Sequence, residues 1–134
     1  MIRQVAHFCI IVRDLETTEW FYCGILGMEI AFEFRKGEER IGYYLKAGDT
    51  TFIEVFRGET RDEPGRIKHF CLETDDLDDI KRRLAEHGIA STEKKLPNDF
   101  AWQAWCKDPD GIDIEFHQYT EKSLQFVGGV CRVG

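Results

Sequence analysis

His7-Phe8-Cys9-Ile10-Ile11-Val12-Arg13-Asp14-Leu15 returns 62 residues later as His69-Phe70-Cys71-Leu72-Glu73-Thr74-Asp75-Asp76-Leu77. The His-Phe-Cys opening and the Asp-Leu pair keep the same spacing in both copies. A second echo lies at an offset of 61, where Lys46-Ala47-Gly48-Asp49-Thr50-Thr51-Phe52-Ile53-Glu54 precedes Lys107-Asp108-Pro109-Asp110-Gly111-Ile112-Asp113-Ile114-Glu115. Lysine, aspartate and the closing Ile-Glu coincide. A repeat of this length decides the architecture before any single element does. Two copies fill the chain and no third follows, so it is a duplication and not a solenoid.

Working outward, residues 5–12 are apolar and β-branched, stop at Arg13-Asp14, and read as a buried strand. On the pleat His7, Cys9 and Ile11 share one face, and Phe8, Ile10 and Val12 the other. Asp14 has the chemistry of an N-cap. Leu15, Thr18, Phe21, Tyr22 and Ile25 recur at helical spacing up to Gly27, which ends the helix. Strands are expected at 28–34, 40–46 and 50–57, joined by polar or glycine turns. The charged segment from Gly58 to Gly65 reads as a linker. The same order then recurs. A strand spans 67–74, and Asp76 caps a helix with the stripe Leu77, Ile80 and Leu84, stopped by Gly88. Strands are expected at 89–94, 100–107 and 112–118, the last two joined by the turn Asp108-Pro109-Asp110-Gly111.

The expected fold is therefore α+β: two paired β-α-β-β-β modules making a cupped mixed sheet with helices on the outside. Residues 1–134 form a single domain built of two repeats, about 4–57 and 66–118, with a short tail after Tyr119.

The bulk composition sets limits. Of the 134 residues, 43% are hydrophobic and 13% aromatic, enough for a packed core. A net charge of −7 argues against a nucleic-acid surface. No apolar run reaches the length of a membrane span, and the N-terminus lacks a signal-peptide layout. Cys9, Cys23, Cys71, Cys106 and Cys131 show no C-x-x-C spacing and read as reduced thiols of a cytoplasmic protein.

The chemistry sits at equivalent places in the two copies. Each first strand opens with a histidine (His7, His69) and each last strand closes on a glutamate (Glu54, Glu115). Large apolar neighbours pack the other face, leaving the histidines toward the concave side. Paired about a pseudo-twofold axis, two imidazoles and two carboxylates suit a divalent transition metal (Zn, Ni, Co, Mn or Fe), with coordination positions left for water or substrate. Buried carboxylates without a cation would be costly. Phe52, Phe56 and His117 share a face with the nearest glutamate and are candidate cavity residues, together with Ile11, Trp102 and Trp105. Core packing is the simpler reading of these aromatics. His117 fits either a donor behind the ligands or an exposed side chain. Cys9 and Cys71 read as small core residues, not as ligands or nucleophiles.

The paired modules resemble the vicinal-oxygen-chelate superfamily, also called the glyoxalase/bleomycin-resistance/dioxygenase superfamily. The matching text is His7, Trp20-Phe21-Tyr22 with Leu26-Gly27-Met28, Glu54, Lys68-His69-Phe70, and Asp108-Pro109-Asp110-Gly111 leading to Ile114-Glu115. The ligand set is similar to that of bacterial glyoxalase I, a lactoylglutathione lyase. That resemblance implies His7, Glu54, His69 and Glu115 as metal ligands. It also implies proton transfer next to a carbonyl on a small oxygenated substrate, through a metal-stabilised enediolate. Glu115 is then the base and Glu54 the second catalytic carboxylate, and a homodimer is expected.

The resemblance departs where glutathione would be held. Glyoxalase I has an arginine four residues after its first ligand and an asparagine four after its second; here these are Ile11 and Gly58. Two alternatives stand beside the lyase. One is an Fe(II) extradiol-type dioxygenase, which needs two histidines and one glutamate. The other is a bleomycin-resistance-like protein that binds a small molecule without chemistry. A thiol transferase acting on an antibiotic epoxide also belongs to the superfamily.

Overall fold

The computed structural model describes residues 1–63 and 65–133, and the chain divides into two compact units, Met1–Glu63 and Pro64–Gly134. Unit 1 contains β1 (His7–Val12), α1 (Leu15–Glu19), β2 (Ile30–Lys36), β3 (Glu39–Lys46) and β4 (Phe52–Arg57), with α1 running on as a π-helical segment, Trp20–Ile25. Unit 2 contains β5 (His69–Glu73), α2 (Leu77–Glu86), β6 (Ala101–Lys107), β7 (Asp113–Tyr119) and the short α3 (Leu124–Val127).

In unit 1 the sheet order is β1-β4-β3-β2. β1 runs parallel to β4, and the other two pairings are antiparallel. The expected division of the pleat holds. Ile10 and Val12 are buried with Tyr43, Leu45, Ile53 and Val55, while His7, Cys9 and Ile11 face the open side. Asp14 caps α1, its Oδ1 accepting from the Thr17 N–H at 2.8 Å. All five residues of the predicted stripe (Leu15, Thr18, Phe21, Tyr22 and Ile25) are buried. The wider π turn differs from the α-helix expected there. It ends at Gly27 with φ 76°, where the Met28 N–H reaches back to the Tyr22 carbonyl at 2.9 Å.

In unit 2 the sheet is three-stranded, in the order β5-β7-β6, with β5 parallel to β7. Asp76 caps α2 through the Asp79 N–H, and Leu77 and Leu84 are wholly buried with Ala104, Ile114 and Phe116. Ile80, the middle residue of the expected stripe, is only half-buried.

The strand expected at 89–94 is absent: the described residues there make only isolated bridges, Ser91 to Cys106 and Lys95 to Gln103. The reason is side-chain competition with the ladder. Trp105 N–H donates to Thr92 Oγ1 instead of a backbone carbonyl, and Lys81 Nζ ties down Ser91 Oγ and the Thr92 carbonyl. After Tyr119 the tail turns into α3, held where Ser123 Oγ donates to the Phe100 carbonyl at 2.7 Å. Among the described residues no helix is long and apolar enough to cross a membrane.

Candidate functional site

Each unit brings its histidine and glutamate to one face of one sheet. In unit 1 Cys9 and Tyr44 flank Glu54 on the neighbouring strands. The Tyr44 hydroxyl lies 3.5 Å from His7 Nδ1, with the two rings 5.4 Å apart. Desolvation first, then a hydrogen bond to Glu54, raises both the Tyr44 phenol and the Cys9 thiol. Tyr44 thus stands between the histidine and the carboxylate.

Around them lies an aromatic group. Phe32 is 4.4 Å from Tyr44 by ring centroids, Phe34 is 4.8 Å from Phe56, and Tyr44 is 5.6 Å from Phe52. Phe52 and Phe56 are half-buried on Glu54's face, not in the core as the packing argument expected. Gly42 makes room for Phe56: a Cβ there would meet the Val55 carbonyl at 2.4 Å and the Phe56 ring at 2.6 Å.

In unit 2 Cys71 and Trp105 flank Glu115, and Glu73 lies beside His117. Glu115 is buried, 8% exposed. Its two oxygens have different partners: His117 Nε2–H donates to Oε1 at 2.6 Å, and His69 Nε2 lies 3.3 Å from Oε2. A buried carboxylate held this way is satisfied without leaving the site. His69 stacks edge-on against Trp105 at 4.7 Å, and His117 against Tyr119 at 5.6 Å. Desolvation of the thiol by its neighbours, reinforced by the Glu115 charge, pushes Cys71 up to about 12. Cys71 Sγ, a Glu115 oxygen and a His117 ring nitrogen all lie within 4.8 Å of one another.

Several expectations need correction. Trp102 does not share Glu115's face. The unbroken β6–β7 register pairs it with Gln118, whose Oε1 accepts from the Leu77 N–H at the start of α2. Trp102 therefore lies on the helix side, with Lys94 Nζ 4.8 Å from its ring. Cys9 and Cys71 are exposed residues of the site face, and Cys106 is the buried cysteine. His117 needs no correction: of its two readings it takes the first, a donor to Glu115. Phe32, Phe34 and Tyr44 were missed by sequence reasoning, although the Phe-x-Phe alternation was visible.

The two positions that break the glutathione pattern touch each other. A Cβ on Gly58 would come 2.8 Å from Ile11 Cγ2. The Ile11 γ-methyl and a side chain at 58 compete for the same space. Arg13 turns instead to Thr60 Oγ1 at 2.7 Å, and Arg57 to Glu39.

The sequence profile of the Glyoxalase/Bleomycin resistance protein/Dioxygenase superfamily matches residues 4–116. The chain belongs to this superfamily. The uncharacterized protein YwbC of Bacillus subtilis is 27% identical over 130 residues, covering 88% of this chain and 99% of that protein. TnmS3, an antibiotic binding protein from Streptomyces, is 28% identical with a TM-score of 0.73, covering 89% of this chain and 98% of its own. A glyoxalase/bleomycin resistance protein/dioxygenase domain from Frankia shares the fold at TM-score 0.76 and 22% identity, covering 92% and 97%. The superfamily's two-module α+β design accounts for the two mixed sheets, one of four strands and one of three.

Proposed function

We propose that this superfamily member is a metal-dependent lyase or isomerase of the glyoxalase type, moving a proton next to a carbonyl on a small oxygenated substrate. His7, Glu54, His69 and Glu115 are the ligands, and the ion is a divalent Zn, Ni, Co, Mn or Fe. The observation that carries the proposal is Glu115, a buried carboxylate with an imidazole nitrogen at each oxygen. His69 Nε2, 3.3 Å from a buried carboxylate oxygen, brings two of the four donors together, a nitrogen–oxygen pair that first-row divalent ions accept. Bound there, such an ion supplies positive charge to polarise vicinal substrate oxygens and stabilise the oxyanion that develops.

The chain's own residues do the rest. Glu115 takes the proton from the carbon next to the carbonyl, and His117 holds one of its oxygens and so fixes the direction of the other. Glu54, with Tyr44 beside it, is the second catalytic carboxylate. Phe52, Phe56 and Ile11 make an apolar wall around Glu54, and Trp105 and His117 line the Glu115 side. At positions 11 and 58 the chain offers glutathione neither the guanidinium nor the amide of the glyoxalase I pattern. The protein acts as a homodimer, which sedimentation at micromolar concentration checks; a monomer there contradicts it.

The test is a pair of measurements on purified protein. Stoichiometric metal that is lost in His69→Ala supports the centre. Glu115→Gln that keeps its ion but loses turnover supports the base, and unchanged turnover removes it. A second proposal, binding without chemistry, is favoured by one observation, the 28% likeness to an antibiotic binding protein. It predicts tight binding of an apolar oxygenated compound by protein that carries no metal.

A further inference from the structure

Where a strand was expected at 89–94, unit 2 has an open cavity. The segment 89–92 meets β6 through the bridge Ser91–Cys106 and through the Thr92 N–H, which donates to the Trp105 carbonyl at 2.9 Å. A cavity of about 430 Å³ is bounded by this segment, β6 and β7, with Ile89, Ala90, Thr92, Trp105, Lys107 and Asp113 in its wall. Small-molecule sites span about 300–1,000 Å³. Three of the wall residues belong to the face of the proposed site. Trp105 pairs with Glu115, Lys107 with Asp113, and Asp113 with His69, so these five side chains share one side of the pleat. Trp105 joins the two places: its ring lies edge-on to His69 at 4.7 Å, and the same residue borders the cavity.

The charges in the wall are already paired. Lys107 Nζ donates to Asp113 Oδ1 at 2.6 Å. Lys81, reaching this segment from α2, donates to Ser91 Oγ at 2.9 Å and to the Thr92 carbonyl. An anionic group entering here would compete with Asp113 for Lys107 and lie beside its negative charge. An apolar group meets Ile89 and the Trp105 ring without disturbing either pair. We infer that this cavity takes the uncharged aryl substituent of the molecule whose polar end lies at Glu115. The preferred substrates are then neutral aryl carbonyl compounds, with Trp105 as the residue that selects them and the small Ala90 keeping the space open. The inference rests on the proposed function for calling that molecule a substrate, and every residue it uses lies in unit 2.

The probes are 2-hydroxyacetophenone, its ring 4-carboxylate and hydroxyacetone, which carry one hydroxyketone end on an aryl ring, a charged aryl ring and a methyl group. Each is titrated into isotope-labelled, metal-free protein and followed by backbone-amide and indole NMR shifts. 2-Hydroxyacetophenone should move the amides of 89–92 and the Trp105 indole, and should bind at least about tenfold more tightly than either other probe. Ala90→Trp should erase that preference; if circular dichroism shows it unfolded, Ala90→Leu takes its place. In metal-loaded protein, deuterium exchange at the hydroxyl-bearing carbon, divided by each compound's buffer rate, should favour 2-hydroxyacetophenone over hydroxyacetone by a similar factor in kcat/KM. No shift at 89–92 or Trp105, equal affinity for the three probes, equal normalised kcat/KM, or a preference kept in the Ala90 variant overturns the inference and leaves the proposed function standing. Cavity shifts with the expected preference but no exchange by metal-loaded protein overturn the proposed function alone.

Discussion

Replacing His117 by phenylalanine gives unit 2 the residue that unit 1 carries at the same place, Phe56. In metal-free protein the change keeps a flat ring beside Tyr119 but removes the donor 2.6 Å from Glu115 Oε1. Glu115 is 8% exposed, so water cannot freely replace that donor. A hydrogen bond to a charged group contributes about 1.5–3 kcal/mol, and the cost is asymmetric because the carboxylate stays behind. His69, at 3.3 Å from the other oxygen, is a weaker partner and does not compensate. The expected loss is thus about 1.5–3 kcal/mol, roughly a ten- to hundredfold drop in the folding equilibrium. Urea unfolding with a chelator present measures it as a lower midpoint at unchanged slope. H117Q, whose amide still donates, should recover part of the loss. A midpoint for H117F at or above that of wild type would show that Glu115 does not depend on this partner, and its assignment as a held carboxylate would fall.

Three further outcomes are expected. Gly58→Asn alone should destabilise unit 1 by about 1 kcal/mol through collision with the stiff, β-branched Ile11, and Ile11→Ala should remove that penalty; additive effects in the double variant would contradict the contact. Thr18 is fully buried with its hydroxyl unpartnered, so Thr18→Val should be neutral or stabilise by up to about 1 kcal/mol in thermal unfolding, since only an unsatisfied polar atom is lost; a clear destabilisation would reveal a hidden partner. The Asp14 carboxyl is held below its ordinary 3.8, first by the Thr17 backbone N–H. Its stabilisation is complete above 3.8 and is lost as pH falls through the lower folded value, so Asp14→Ala should weaken the fold at neutral pH and converge with wild type in strong acid. A gap that does not close with acid would mean that the cap does not act through its charge.

The 62-residue echo and the two-residue pleat period correctly sorted Ile10 and Val12 from His7, Cys9 and Ile11, because strand parity depends on nothing outside the strand. It also marked both N-caps and the buried stripe of the first helix. Parity could not carry across β2 to β3, where the register shifts between Phe34 and Arg35. A bulge is a property of two strands, and it decides which rings meet Tyr44. The lost strand at 89–94 had the same kind of cause: Thr92 Oγ1 and Lys81 Nζ occupy groups a ladder would need, and α2 supplies the lysine from ten residues away. Trp102 was misplaced because strand 100–107 was read by its aromatics and not by its pairing with β7. His117 was visible by parity as a neighbour of Glu115, but a hydrogen bond between residues two apart needs rotamers that spacing does not specify.

The central claim is that Glu115 moves a proton next to a carbonyl with help from a bound ion. Deuterium incorporation into 2-hydroxyacetophenone in D₂O, followed by proton NMR, tests it most directly. This α-hydroxyketone presents two vicinal oxygens and exchangeable protons on the carbon next to its carbonyl. Metal-loaded wild type should exchange the protons of the hydroxyl-bearing carbon well above the buffer rate, and Glu115→Gln with its ion retained should not. Exchange at the buffer rate in metal-loaded wild type, or equal exchange in Glu115→Gln, would contradict it.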